Sequence, residues 1–233
     1  TMQIDVREAA RLFAVSEKTI YRWLKAGNLP GYRVQGQYRF NRAELLEWAT
    51  SKRLGVNPDV FPIEAKSDAP PPSLEAALRA GGIHSGIDCA NKTDAFAAIV
   101  GLIPLPGVID RGFMLQVLLS RESIGSTGIG EGIALPHVRN PIVLHATTPT
   151  ITLCFLASPI PFDAIDGKPV HTLFTLITPS VQAHLQLLSR LTFALRTQRF
   201  RSAVESRSTG EEIFEAAAAV DEDLAAASRE HPR

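Results

Sequence analysis

The chain has 233 residues, 45% of them hydrophobic, enough to bury a sizeable core in one large domain or two ordinary ones. Its formal charge of zero hides an asymmetry: residues 1–54 carry ten Lys/Arg against five Asp/Glu and the remainder carries fourteen against nineteen, the pattern of a basic module that meets a polyanion joined to an acidic one that does not. Two cysteines, Cys89 and Cys154, exclude a disulfide framework and have no zinc-ligand spacing; no apolar run approaches the ~20 residues of a bilayer span and no signal-peptide succession opens the chain, so a cytoplasmic setting without membrane insertion is expected.

From Asp5 the apolar residues Val6, Ala9, Ala10 and Phe13 recur at helical spacing with Asp5 as N-cap, which predicts a short amphipathic helix. Ala14 and Val15 form a tight turn. Ser16 then opens a second helix in which Ile20, Trp23 and Leu24 share one face, and Gly27 ends it ahead of Pro30. Two short helices across a tight turn read as a helix-turn-helix, whose second helix enters a DNA major groove by its N-terminal residues. The segment GYRVQGQYRF sets Tyr32, Val34, Tyr38 and Phe40 against Arg33, Gln35, Gln37 and Arg39 around Gly36, a predicted β-hairpin with one apolar and one basic-polar face. Asn41 caps a third predicted helix over RAELLEWATSKRL, with Glu44 at the capping-box position and Leu45, Leu46 and Trp48 inward.

The phrases REAARLFAVSEKTIYRWLKAGNLP and YRFNRAELLEW resemble the winged helix-turn-helix of the excisionase and MerR-like family. That resemblance implies double-stranded DNA as a partner, with Glu17, Lys18, Thr19, Tyr21 and Arg22 facing the groove and Arg33, Gln35 and Arg39 in the wing. Trp23 and Trp48 fall at core positions of the pattern. Residues 55–73, ending in SDAPPPS, lose periodicity and read as a Pro-rich linker that spans roughly 25 Å as a flexible chain.

Beyond the linker, Ser73 caps a helix that ends near Gly81, GIHSGIDC is a short strand, and NKTDAFAAIVGLIPLPG is a capped helix stopped by Pro104 and Pro106. Asp110 caps a further helix, RGFMLQVLLSRESIG. The runs TPTITLCFLA and PVHTLFTLIT are apolar, rich in β-branched residues and bounded by Pro or Gly, as buried strands should be. HLQLLSRLTFALR places Leu188, Leu191 and Leu195 on one helical face. Capping boxes at Ser208 and Thr209 open a last helix, with an acidic, alanine-rich tail expected to fray beyond Val220.

Between these elements lies GIGEGIALPHVRNP, Gly128 to Pro141. Gly128, Gly130 and Gly132 let backbone N–H groups converge on a bound oxyanion, Pro136 directs Leu135 into an extended conformation, and His137 leaves a strand end with Arg139 beside it. Histidine suits phosphate carriage because a neutral imidazole presents one unprotonated ring nitrogen, and Arg139 can pair with phosphoryl oxygens.

The segment SRESIGSTGIGEGIALPHVR, followed by FDAIDGKPVHTLFTLITPS and HLQLLSRL, resembles the fructose, mannitol and nitrogen-type (PtsN-like) IIA proteins of the bacterial phosphotransferase system over roughly residues 74–220. The resemblance implies that His137 is the phosphoryl acceptor, His184 the second histidine beside it, and Arg121, sixteen positions upstream of His137, the arginine near the phosphate. It further implies phospho-HPr as donor, a IIB or regulatory protein as possible recipient, and no cofactor or metal. His184 falls near a helix start, where a bound anion is favoured. His84, His145, His171 and His231 match no such position and read as structural or exposed.

The predicted fold class is α/β (α+β): a small winged helix-turn-helix domain (2–54), a linker (55–73), a layered domain with a mixed β-sheet flanked by helices (74–220), and a tail (221–233). The expected function is a phosphohistidine carrier, without small-molecule turnover of its own and open to homo-oligomerisation, that acts as a phosphorylation-responsive DNA-binding regulator. The alternative is a IIA component of a sugar-transport relay whose helix-turn-helix serves assembly only.

Overall fold

The computed structural model describes residues 3–27, 29–34, 37–41, 45, 48–49, 71–105, 107, 109–138 and 146–230. The chain divides into two compact units, 1–70 and 71–233. Most of the expected linker, 55–70, lies outside the described residues, as does most of the third helix predicted after Asn41.

The first unit opens with strand β1 (Gln3–Ile4) and helices α1 (Val6–Leu12) and α2 (Glu17–Lys25). Asp5 and Glu8 form a reciprocal capping box, the Glu8 N–H donating to Asp5 at 2.8 Å and the Asp5 N–H to Glu8 at 2.9 Å, which satisfies two orphan donors of α1 at once. The turn between the helices places Ala14 at φ 51°, and the Ser16 hydroxyl accepts the Thr19 N–H at 3.3 Å to start α2. Strands β2 (Tyr32–Val34) and β3 (Gln37–Asn41) pair antiparallel, as the alternation predicts. The pairing of β1 with β3, Gln3 opposite Asn41 and Ile4 opposite Phe40, completes a three-stranded sheet in the order β1-β3-β2. Ile20, Phe40, Leu45 and Ala49 are fully buried, and Phe13, Trp23 and Trp48 pack edge-on or tilted with centroids 5.2 to 5.9 Å apart, so both tryptophans serve the core.

The second unit contains α3 (Leu74–Gly81), β4 (Ile83–Ile87), α4 (Lys92–Leu102), α5 (Arg111–Ile124), β5 (Gly128–Gly130), β6 (Ile133–Ala134), β7 (Thr150–Ile160), β8 (Val170–Ile177), α6 (Val181–Ala194), α7 (Gln198–Glu205) and α8 (Gly210–Glu230). Its five strands run in the order β4-β7-β8-β6-β5. The sheet is mixed: β4/β7 and β6/β8 are parallel, β7/β8 and β5/β6 antiparallel. Both faces are covered, which is why β7 and β8 read as continuous apolar runs. Ile151, Leu153, Phe155, Phe174 and Leu176 pack under α3, α6, α7 and α8; Cys154, Leu156, Leu173 and Ile177 pack under α4 and α5. Burial pushes the Cys154 thiol up to about 12, as befits a small core residue.

Two expectations change. The glycine-rich stretch, placed by the sequence between the predicted elements, is itself a β-hairpin, β5 and β6 joined through Glu131 and Gly132 at φ 54° and 76°. The tail expected to fray beyond Val220 is helical to Glu230. Alanine-rich sequence favours helix there, and Asp221 ties the helix down by accepting from Ser73 Oγ at 2.8 Å, from the Leu74 and Glu75 N–H groups at 3.1 Å, and from Arg190 at 2.6 Å. At the other end of α8 the box that forms is Thr209 with Glu212, whose two bonds are 2.8 and 3.4 Å.

Candidate functional site

The residues singled out by sequence lie on the C-terminal turn of α5, the β5/β6 hairpin, the chain leaving β6, and the N-terminal turn of α6. Asp110 accepts the Phe113 N–H at 2.8 Å and so sets where α5 begins. At its far end Arg121 is only 9% exposed and donates to the Gly125 carbonyl at 2.9 Å, closing a helix terminus where cations are favoured.

Past β6 the backbone stays extended through Pro136, and His137 bridges Leu176 of β8 in parallel, with the Leu176 N–H donating to Pro136 O at 3.1 Å. The His137 Nδ1 lies 2.7 Å from the Leu135 carbonyl oxygen. A carbonyl can only accept, so Nδ1 carries the proton, and in the neutral ring Nε2 holds the lone pair. His184 stands at the end of the first turn of α6, its N–H donating to Ser180 O at 3.0 Å while the Ser180 hydroxyl caps the helix through Ala183 N–H at 3.1 Å. The two imidazoles meet with centroids 5.0 Å apart and planes tilted by 40°, each residue 4% exposed. Among the sequence-predicted residues, then, the fold brings His137 and His184 side by side on one face of the sheet; Arg139 lies outside the described residues.

The three glycines hold the hairpin rather than an open loop. A Cβ at Gly128 would stand 2.7 Å from the Ala164 Cβ, and one at Gly132 would overlap the His171 ring. Gly130 ends β5 opposite Ile133. The segment FDAIDGK, residues 162–168, clamps this hairpin: Ala164 lies against Gly128, Ser126 Oγ donates to Phe162 O at 2.6 Å, and Asp166 accepts the Glu131 N–H at 2.8 Å. The Glu131 N–H, with that of Lys168, holds the Asp166 carboxyl below its usual range. His171 is half-buried with Nδ1 2.8 Å from Thr172 Oγ1, and burial, then the nearby Arg207, lower its pKa. His84 is half-buried in β4, while His145 and His231 lie outside the described residues.

Sequence reasoning missed a buried ionic group. Glu122, 8% exposed, accepts the Thr127 N–H at 3.0 Å and its hydroxyl at 2.7 Å, and Lys92 at 3.1 Å; Lys92 also reaches Asp163 at 2.9 Å and lies 4.6 Å over the Phe162 ring. Burial works against the Lys92 charge, but these two carboxylates outweigh it and its pKa rises. One signal was available: an acidic side chain in the last turn of a helix opposes the macrodipole and calls for a partner.

In the first unit, Glu17, Lys18, Tyr21 and Arg22 are exposed along α2, Thr19 is half-buried, and Arg39 is half-buried on β3 with its guanidinium 3.1 Å from Gln37. The Tyr21 and Tyr38 rings meet edge-on at 6.2 Å, and Glu17 lies 3.5 Å from Arg7. An open cleft of about 660 Å³ between α2 and the wing is lined by Glu17, Tyr21, Gln37, Tyr38 and Arg39, so three of the expected DNA-facing residues share one surface. Arg33 is placed on β2 by its backbone, and Gln35 lies outside the described residues.

Residues 77–219 match the family model described as "Phosphoenolpyruvate-dependent sugar phosphotransferase system, EIIA 2". The chain belongs to this EIIA family. Residues 4–53 match a model described as "Helix-turn-helix domain", so the EIIA domain follows a helix-turn-helix domain of the excisionase-like kind. The EIIA part is similar to the "Nitrogen regulatory protein" of Pseudomonas aeruginosa, 34% identical over 146 residues that cover 61% of this chain and 92% of the relative. It is likewise similar to the "PTS system fructose-specific EIIA component" of Haloferax volcanii, 34% identical over 131 residues, 54% of this chain and 83% of the relative. Among solved structures, the Nitrogen Regulatory Protein IIA-Ntr of Neisseria meningitidis superposes with a TM-score of 0.55 at 27% identity, covering 62% of this chain and 98% of its own. Among the described residues, no helix of this EIIA protein is long and apolar enough to cross a membrane.

Proposed function

We propose that this EIIA protein accepts a phosphoryl group from phospho-HPr on Nε2 of His137 and acts as a phosphorylation-responsive DNA-binding regulator. The observation that carries the acceptor reading is the 2.7 Å bond from His137 Nδ1 to the Leu135 carbonyl, which leaves Nε2 as the nucleophile, next to a second imidazole at a helix N-terminus. In the step itself the Nε2 lone pair forms the new P–N bond as the donor's P–N bond breaks and its electron pair returns to the donor nitrogen; Nδ1 keeps its proton. The transition state is loose, so catalysis consists of aligning the two nitrogens and neutralising the equatorial oxygens. His184, Arg121 and Arg139 supply that neutralisation, while the hairpin N–H groups of Gly128 and Glu131 are engaged by Ser126 Oγ and Asp166. Incubation with phosphorylated HPr yields an acid-labile adduct that is lost in His137→Ala and forms more slowly in His184→Ala; an unchanged adduct in His137→Ala refutes the assignment.

The regulatory half rests on the helix-turn-helix match and on the basic excess in residues 1–54, with Glu17, Lys18, Thr19, Tyr21 and Arg22 toward the groove and Arg33, Gln35 and Arg39 in the wing. Relatives named as nitrogen regulatory proteins support it. The fructose-specific relative supports a second reading, a IIA component that passes phosphate to a separate IIB while the helix-turn-helix mediates assembly. Failure of the full chain to bind its own upstream DNA at low salt favours that second reading.

A further inference from the structure

Among the described residues, one buried carboxylate is linked to His137 by hydrogen bonds joined through the backbones of Thr127 and Leu135. Glu122 stands in the last turn of α5, where the helix carbonyls repel a carboxylate, yet it is 8% exposed. Its Oε2 accepts both the N–H and the hydroxyl of Thr127, at 3.0 and 2.7 Å. Its Oε1 accepts from Lys92 at 3.1 Å, and Lys92 is itself held at 2.9 Å by Asp163 of the clamping segment. Thr127 O accepts the Leu135 N–H at 3.0 Å, and Leu135 O accepts the proton of His137 Nδ1 at 2.7 Å.

We infer that Glu122 is a positioning residue for His137: by fixing Thr127, and through it Leu135, it holds the carbonyl that keeps the imidazole proton on Nδ1 and the lone pair on Nε2. This rests on the acceptor reading of His137. The imidazole's tautomer follows the hydrogen bond its other nitrogen makes. If Thr127 is released, the Leu135 carbonyl loses its fixed place, and the proton redistributes between the two ring nitrogens. A molecule with the proton on Nε2 cannot accept phosphate at that atom. Lys92 neutralises the buried carboxylate and ties the 162–168 segment to the same point, so the segments that converge on the hairpin meet at Glu122.

The test follows the ring nitrogens of His137 by long-range ¹H–¹⁵N correlation in the full chain, together with phosphoryl transfer from phospho-HPr. Glu122→Gln keeps the size but sets an amide donor against either Lys92 or Thr127. The expected result is a mixed tautomer in place of one protonated at Nδ1, and a transfer rate at saturating donor about ten- to a hundred-fold lower with the donor's KM unchanged, the range typical of lost supporting bonds. Thr127→Val shifts the tautomer the same way, and Thr127→Ser, which keeps the hydroxyl, restores it. The double variant is no slower than the slower single, because both act in one chain of bonds. A folded Glu122→Gln with the wild-type tautomer overturns the inference even if its melting temperature falls, since it then serves stability only. Should Glu122→Gln fail to fold, a wild-type tautomer in Thr127→Val overturns it equally. A tautomer that shifts in a protein taking no phosphate at all supports the positioning role and refutes the acceptor reading instead.

Discussion

Gly132 distinguishes a glycine kept for packing from one kept for an anion. Its φ of 76° costs an L-residue about 1–2 kcal/mol in the left-handed region. An added Cβ also overlaps the His171 ring, which must move and give up its 2.8 Å bond to Thr172, worth about 1 kcal/mol. Gly132→Ala should therefore destabilise the EIIA domain by about 2–3 kcal/mol. For a unit of this size that corresponds to a melting temperature lower by about 4–12 °C. Measured in a His171→Ala background, where the overlap is gone but the backbone strain remains, the cost should fall by about 1 kcal/mol. Urea unfolding of the four proteins reads both numbers. A cost under about 0.5 kcal/mol, or an equal cost in both backgrounds, refutes the argument from packing; reduced phosphorylation at full stability would instead assign Gly132 to the anion.

DNA binding by the first unit should be salt-sensitive, and because each phosphate contact steepens the slope of log affinity against log salt by about 0.9, Arg22→Ala or Arg39→Ala should flatten it measurably in a titration across salt concentrations; unchanged slopes remove those residues from the interface. Phosphorylation of His137 adds about 1.5 to 2 negative charges to a module already acidic by the excess of nineteen over fourteen, and should draw the tethered basic module away from DNA, lowering affinity moderately at one fixed salt concentration. By reciprocity, bound DNA should then make His137 a poorer acceptor by the same factor, and equal or tighter DNA binding by the phosphoprotein sinks the coupling. Asp166 titrates below its ordinary value of 3.8 in the folded state, so its contribution to stability is present above that value and lost as pH falls through the lower folded one. Asp166→Asn should therefore flatten the acid limb of a stability-against-pH curve below about pH 4 and leave neutral pH dependence alone; an unaltered acid limb contradicts the Glu131 and Lys168 contacts.

Local chemistry was readable in advance. The caps at Asp5, Ser16, Ser73, Asp110 and Thr209 lie three residues from the groups they bind, and the buried strands announce themselves by unbroken apolar runs, so helix starts and the sheet followed from sequence. Contacts between distant residues were not. Asp221 reaches Ser73 across 148 positions and turns an expected fraying tail into the end of α8. Glu122 meets Lys92 across 30 positions, and no local pattern reports that pairing. The sequence assigns the hairpin glycines to a bound oxyanion; in the fold Gly128 and Gly132 make room for Ala164 and His171, which only the folded sheet brings there. His137 and His184, 47 positions apart in sequence, were paired by resemblance alone; the sheet and the α6 N-terminus give that pairing a geometry.

The most direct test of the account is the site of phosphate attachment in protein treated with phospho-HPr, read by ³¹P–¹⁵N coupling and ring ¹⁵N shifts. The account predicts a single adduct on Nε2 of His137 with the proton still on Nδ1. Phosphate on Nδ1 of His137, on His184 or another side chain, or no adduct under conditions that phosphorylate a fructose-specific EIIA component, contradicts it.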